Sequence, residues 1–139
     1  MQVESLSVPR PLICGFLKVK DEILRGNLPM CLTNLSKVAD TIVACDDGST
    51  DGTYEELQKY VPMSQLLRVP PDKSDFQDEL KHKQSMLGIV RNINPLWVWW
   101  VDGDETLDAA GTSGLREFAL EALKRSEQGW RFHYTQLWR

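Results

Sequence analysis

The sequence predicts an α/β fold, a mainly parallel sheet with helices on both faces. Two observations carry this. From Leu12 onward, short apolar runs of strand length alternate with longer segments of helical apolar spacing. The resulting order, β-α-β-α-β-α-β-α-β, is the one a parallel sheet with crossover helices requires. Turn-forming clusters separate the runs, among them Asp46 to Thr53, Pro70-Pro71, Asn94-Pro95 and Asp102 to Asp108.

Leu12 to Leu17 reads as the first strand. Asp21 to about Val38 carries Ile23, Leu24, Leu28, Cys31, Leu32, Leu35 and Val38 at helical spacing, and Pro29 predicts a kink or break near Asn27-Leu28. Thr41 to Cys45 is a β-branched, buried strand. Thr53-x-x-Glu56 is a capping-box pattern that opens a helix to about Tyr60, with Pro62 as its stop. Leu66 to Val69 is a short strand. Gln77 to about Ile93 is a helix with Leu80, Met86, Leu87 and Val90 toward the core. Trp97 to Val101 is continuously apolar, which predicts a strand buried on both faces, its tryptophans in the core. Ser113 to about Gln128 is a helix with Leu115, Phe118, Ala119, Ala122 and Leu123 as its stripe, ended by Gly129. Arg131 to Trp138 is the last strand, in which His133 reads as a half-buried structural residue.

A chain of 139 residues is one domain by size, large enough to bury a core without staples. The net charge of −4 and the lack of a basic run argue against nucleic-acid binding. Cys14, Cys31 and Cys45 are odd in number and lack CxxC spacing, so they read as reduced core residues, which suits a cytoplasmic location. No apolar run reaches the roughly 20 residues of a membrane span, and the N-terminus shows no signal-peptide pattern.

Two acidic clusters follow strands, at the strand ends where parallel sheets bind ligands. Asp102-Gly103-Asp104-Glu105 puts three carboxylates within four residues. Their repulsion is relieved by a hard divalent cation such as Mg²⁺ or Mn²⁺, which takes one or two carboxylates plus phosphate oxygens. Gly103 is expected to let the backbone turn so that Asp102 and Asp104 face one site. In Asp46-Asp47-Gly48-Ser49-Thr50-Asp51-Gly52-Thr53, the later residues suit a turn and a helix start. The adjacent Asp46 and Asp47 are not needed for capping, so at least one is expected to have a polar partner or a ligand.

The stretch Ile42 to Thr53 resembles the hallmark segment of family-2 glycosyltransferases, and Trp97 to Glu105 resembles their strand-plus-DxD segment. Val19-Lys20-Asp21-Glu22 is similar to the loop after their first strand, with Asp21 where Asn is common. The likeness runs from about Leu12 to Trp138. It implies a GT-A, Rossmann-like fold, with residues 1–139 as a single nucleotide-sugar-binding domain. It implies a nucleotide-diphosphate-sugar donor, UDP-sugar above others, and metal-assisted, inverting transfer. Asp47, with Asp46, Asp102 and Lys20, is implied to bind the nucleotide. Asp104 and Asp102 are implied to hold the metal, with Glu105 behind them. The family's catalytic base has no match here, since the chain ends at Arg139, about where the acceptor-binding portion is expected to begin. A partner chain or oligomer would then complete the acceptor site.

Two other functions compete. One is a nucleotide-binding domain without transferase activity. The other is a phosphatase, because Asp102 to Leu107 also resembles the DxDxTL loop of haloacid-dehalogenase-like enzymes, although that family's downstream Lys and acids are missing. Lys81, His82, Lys83 and Arg91 read as a solvated basic helix face; the alternative for Lys81, His82 and Lys83 is that one of them faces a diphosphate.

Overall fold

The computed structural model describes residues 9–131. The strand expected from Arg131 to Trp138, His133 included, lies outside them from residue 132 onward. The described residues form β1 (Ile13–Val19), α1 (Leu28–Val38), β2 (Thr41–Asp47), α2 (Thr53–Gln58), β3 (Leu66–Val69), α3 (Glu79–Ile93), β4 (Trp97–Trp100) and α4 (Ala109–Lys124). The four strands pair in the order β3-β2-β1-β4, all parallel, an α/β Rossmann-like arrangement.

Period-two alternation divides the core into two clusters. Ile13, Leu17 and Val19 of β1 and Ile42 and Ala44 of β2 pack with α1, α2 and α4. Cys14, Phe16, Val43 and Cys45 point the other way and pack with Met86 and Val90 of α3. All three cysteines are free and buried. Burial pushes the Cys14 thiol up to about 11 and the Cys45 thiol up to about 12.

Helix α1 starts at Leu28, not at Asp21. Pro29 sits in its first turn, where a missing N–H costs nothing. Asn27 supplies no side-chain cap, forgoing about 1 kcal/mol. The buried Leu28, Leu32 and Leu35 outweigh that at about 1.5–3 kcal/mol each. Residues 22–26 are turn instead, and Leu24 is exposed.

Three further expectations need correction. Helix α4 begins four residues early because Asp108 caps it, accepting from Gly111 N–H at 2.6 Å, and it ends at Lys124, before Gly129. On α3 only Met86 and Val90 of the expected four are buried; Leu80 is 69% exposed and Leu87 is also exposed, because both lie about a quarter-turn off the inward face. Strand β4 is the outermost described strand, so its burial alternates. Trp97 and Trp99 pack against the core, whereas Val98 and Trp100 are exposed.

Asp40 ties the amino end of the sheet together. Its Oδ2 accepts from the N–H groups of Leu12 and Ile13 at 2.8 and 3.0 Å, and Arg116 Nη1 of α4 donates to its Oδ1 at 2.9 Å. Burial works to raise its pKa, but the hydrogen bonds from Ile13 and Arg116 outweigh it and hold the group below its ordinary value. A depressed carboxyl pKa contributes stability above the unfolded value and loses it as pH falls through the folded value. Asp40→Ala is expected to cost about 1 kcal/mol at pH 7, allowing for screening at a partly exposed carboxylate. In urea unfolding the difference from wild type should shrink steadily toward pH 3; a gap independent of pH would show that the charge contributes nothing.

Candidate functional site

The chain runs β1, β2, β3 outward on one side, then returns to place β4 on the other side of β1. The reversal leaves a crevice at the carboxyl ends of β1 and β4, the place where open α/β sheets bind ligands. A cleft of about 210 Å³ lies there, lined by Lys18, Val19, Lys20, Asp47, Glu79, Lys83, Trp100 and Asp102. Asp47, Asp102 and Lys20 therefore meet in one place, as the sequence implies. Asp46 and Asp104 are not among the lining residues.

The alternation of β2 explains the split between the paired aspartates. The strand continues through Asp47, two residues beyond the expected end. Asp47 thus shares a face with Val43 and Cys45, and Asp46 points to the opposite face. Asp46 is 0% exposed. Its Oδ2 accepts from Ser49 N–H at 3.3 Å, while its Oδ1 has no hydrogen-bond partner among the described residues. Burial raises its pKa, against the lowering effect of the Ser49 hydrogen bonds. Asp47 is held on the cleft side. Lys18 Nζ lies 3.3 Å from Oδ2, and Ser74 Oγ donates between the Asp47 carbonyl oxygen at 3.1 Å and Oδ1 at 3.3 Å. Gly48 makes this possible: its φ is +76°, and a Cβ there would sit 2.8 Å from Ser74 Cβ and 3.1 Å from the Pro71 backbone.

The rest of the Ser49 to Thr53 segment binds the loop after β1. Asp21 N–H donates to Ser49 Oγ, Glu22 and Ile23 N–H donate to Thr53 Oγ1, and Leu24 N–H donates to Asp51 Oδ2, at 2.9 to 3.3 Å. Thr50 N–H returns a bond to Asp21 Oδ1 at 2.9 Å. The expected capping box does not form. Gly52 is the N-cap residue without a side-chain bond, and the buried Thr53 hydroxyl donates to Asp51 instead.

The acidic loop is closed by its own fourth residue. Asp102 N–H donates to Glu105 Oε2 at 2.9 Å, and Glu105 N–H to the Asp102 carbonyl at 3.0 Å. Asn34 of α1 anchors the loop's far end, accepting from Leu107 N–H at 2.9 Å and donating to Thr112 Oγ1 at 2.8 Å. Gly103 has no positive φ. It is needed for close approach, since a Cβ would meet Val19 Cγ1 at 2.7 Å and Glu22 Cγ at 3.0 Å. Glu22, which the sequence reading left without a role, therefore lies against the acidic loop. Its Oε2 is buried with no hydrogen-bond partner among the described residues. Burial raises its pKa; Arg25 opposes this, and Asp104 and Asp102 add to it.

Asp102 and Asp104 are exposed. Among the described residues no group of three or more His, Cys, Asp and Glu side chains is arranged to hold a metal ion. Asp102 and Asp104 supply accessible oxygen donors of the type that Mg²⁺ or Mn²⁺ takes, and Glu22 lies against the same loop without completing a three-carboxylate set.

The basic helix face is not solvated throughout. Lys81 and Arg91 are exposed. Lys83 lies 2.6 Å from Glu79 and 4.8 Å from the centroid of the Trp100 ring, and Phe16 meets that ring edge-on at 5.2 Å. His82 is 15% exposed and turns toward Asp47, with Nδ1 4.0 Å from Oδ1. It lies one helical turn before Met86 and two before Val90, so helical spacing places it on the inward face. Lys18 was equally legible, as the next inward position after Cys14 and Phe16 on the α3 side of β1.

The fold is a Rossmann-like α/β one with a cleft at the strand ends. Over 123 residues the chain is 31% identical to the lipopolysaccharide core biosynthesis glycosyltransferase LpsC of Rhizobium meliloti (strain 1021), a match covering 87% of this chain. The chain spans 41% of that protein's length. No protein-family model matches. Among the described residues no helix is long and apolar enough to cross a membrane.

The clamp between the two loops is open to a stability test. Thr53→Val strands two N–H groups at a buried position and should cost about 2–4 kcal/mol in chemical unfolding. Thr53→Ser keeps the hydroxyl and should lose no more than about 1 kcal/mol. Equal losses would show that packing, not the hydroxyl, holds the loops.

Proposed function

We propose that this chain is the donor-binding portion of a glycosyltransferase that uses a nucleotide-diphosphate sugar, with Mn²⁺ or Mg²⁺ at the diphosphate. The reading rests on the convergence of Asp47 and Asp102, from two separate strands, on one cleft that also holds Lys18, Lys20 and Lys83. Such a cleft suits a ligand with a neutral hydrogen-bonding end and an anionic middle, and a uridine nucleotide has both. The likeness to a glycosyltransferase over most of this chain supports the same class of chemistry.

In this reading Asp47 accepts hydrogen bonds from the base or ribose, held in place by Lys18 and Ser74. Lys20 and Lys83 face the diphosphate. Asp104 and Asp102 would hold the cation, with Glu105 fixing the turn between them. When bound, the cation offsets charge on the leaving nucleoside diphosphate. An acceptor hydroxyl attacks the anomeric carbon opposite the leaving oxygen, and the configuration inverts. Its proton passes to a base supplied by a partner chain or a further segment of the protein.

Calorimetric titration with UDP tests the proposal. Affinity should rise at least about tenfold when Mn²⁺ is added. Asp104→Ala should remove that gain, and Asp47→Asn should weaken binding while leaving the metal dependence. Binding indifferent to Mn²⁺ or to Asp104→Ala would overturn it.

A further inference from the structure

Asp47 is an acceptor with a capacity that its neighbours do not fill. An ionised carboxylate offers about four lone-pair sites on its two oxygens. Lys18 takes one on Oδ2. Ser74 shares its single proton between Oδ1 and the main-chain carbonyl, and Lys20 Nζ in turn donates to Ser74 Oγ at 2.9 Å. Oδ1 is thus the less committed oxygen, and it faces His82. The Nδ1 of His82 is buried and has no hydrogen-bond partner among the described residues. At 4.0 Å from Oδ1 it stands just outside hydrogen-bonding range, which for N–H···O is roughly 2.7–3.2 Å.

We infer that His82 is a positioning residue for Asp47, donating from Nδ1–H to Oδ1 and leaving the second site on Oδ2 for the ligand. This rests on the reading of Asp47 as the carboxylate that faces the donor nucleotide. The proton must be on Nδ1, because an unprotonated nitrogen there would turn its lone pair toward an acceptor-only group. A small rotation of either side chain closes the gap. Helix α3 sets the imidazole's approach, since His82 shares the inward face of Met86 and Val90. Glu79 and Lys83 are engaged with each other at 2.6 Å. Lys18 occupies Oδ2, so the imidazole has Oδ1 as its acceptor. His82 touches no bound molecule in this arrangement; it acts through Asp47.

Two measurements on the purified chain test the inference, the first of them independently of the nucleotide reading. Long-range ¹H–¹⁵N correlation at about pH 8.5, where a free imidazole is neutral, should show the Nδ1–H tautomer for His82, lost in Asp47→Ala. An Nε2–H tautomer in the wild type overturns the inference whether or not any nucleotide binds. UDP titration then reads the consequence. His82→Leu should weaken binding about tenfold. His82→Asn, whose amide nitrogen takes the place of Nδ1, should recover affinity to within about threefold of wild type. Equal losses in the two variants would overturn the positioning role. If UDP fails to bind the wild type, the donor reading falls, and the tautomer alone decides the contact.

Discussion

The N–H groups of Asp21, Glu22, Ile23 and Leu24, four in a row, find their acceptors in the side chains of Ser49, Thr53 and Asp51. Much of the molecule's site end depends on that exchange. It removes those residues from α1, so the helix starts at Pro29's turn. It fixes Glu22 where Gly103 can pack against it, which brings the acidic loop to the end of β1. It also assigns most of the Ser49 to Thr53 segment to structure. What is left of the segment for chemistry is the pair at its front, and β2's pleat sends only Asp47 to the cleft. Asp46 is buried on the other face, and its burial penalty opposes ionisation.

The electrostatics of the cleft follow the same division. On its lining, three lysines offset three carboxylates, and two of those lysines are already paired, with Asp47 and with Glu79. Lys20 is tied to Ser74 by a hydrogen bond from its ammonium to a neutral hydroxyl. On the other flank of the acidic loop the balance is negative. Glu22, Asp102 and Asp104 act on one another, and Arg25 is a partial counterweight on an exposed arm. The same field, after burial, pushes the neighbouring Cys31 thiol up to about 12. In the proposed function a cation would relieve that imbalance and a phosphate-bearing ligand would meet the lysine side, so that the two flanks would serve different parts of one ligand.

The fold class was legible because it rests on patterns that tertiary context rarely overrides, namely apolar runs, helical spacing and turn residues between them. Most strands and helices fall where those patterns place them. The misses have a common physical cause, since each depends on which neighbour an element receives. Trp97 to Val101 reads as a doubly buried strand, whereas the observed strand, Trp97–Trp100, lies at an edge of the described sheet and packs on one face only. The Thr53 capping box is a valid local pattern that a longer-range acceptor role displaced. At the site, Asp47, Asp102 and Lys20 were legible from motif and resemblance. Lys18 was given no role although strand alternation carried the signal, and His82 was read first as part of a solvated basic face, with an approach to a diphosphate as its alternative. Glu22 and Asn34 gave no local signal, since their roles exist only through contacts 73 to 81 residues away in sequence. Residues 132–138, expected as a last strand, are outside the described part.

The central claim is that two strand ends serve one ligand. A crystal structure of the chain with UDP and Mn²⁺ tests it most directly. The account predicts the uridine within hydrogen-bonding distance of Asp47, and a single cation joining the diphosphate to Asp104 or Asp102 in the same bound molecule. A diphosphate seated away from the acidic loop, or a cation that touches neither aspartate, would contradict it.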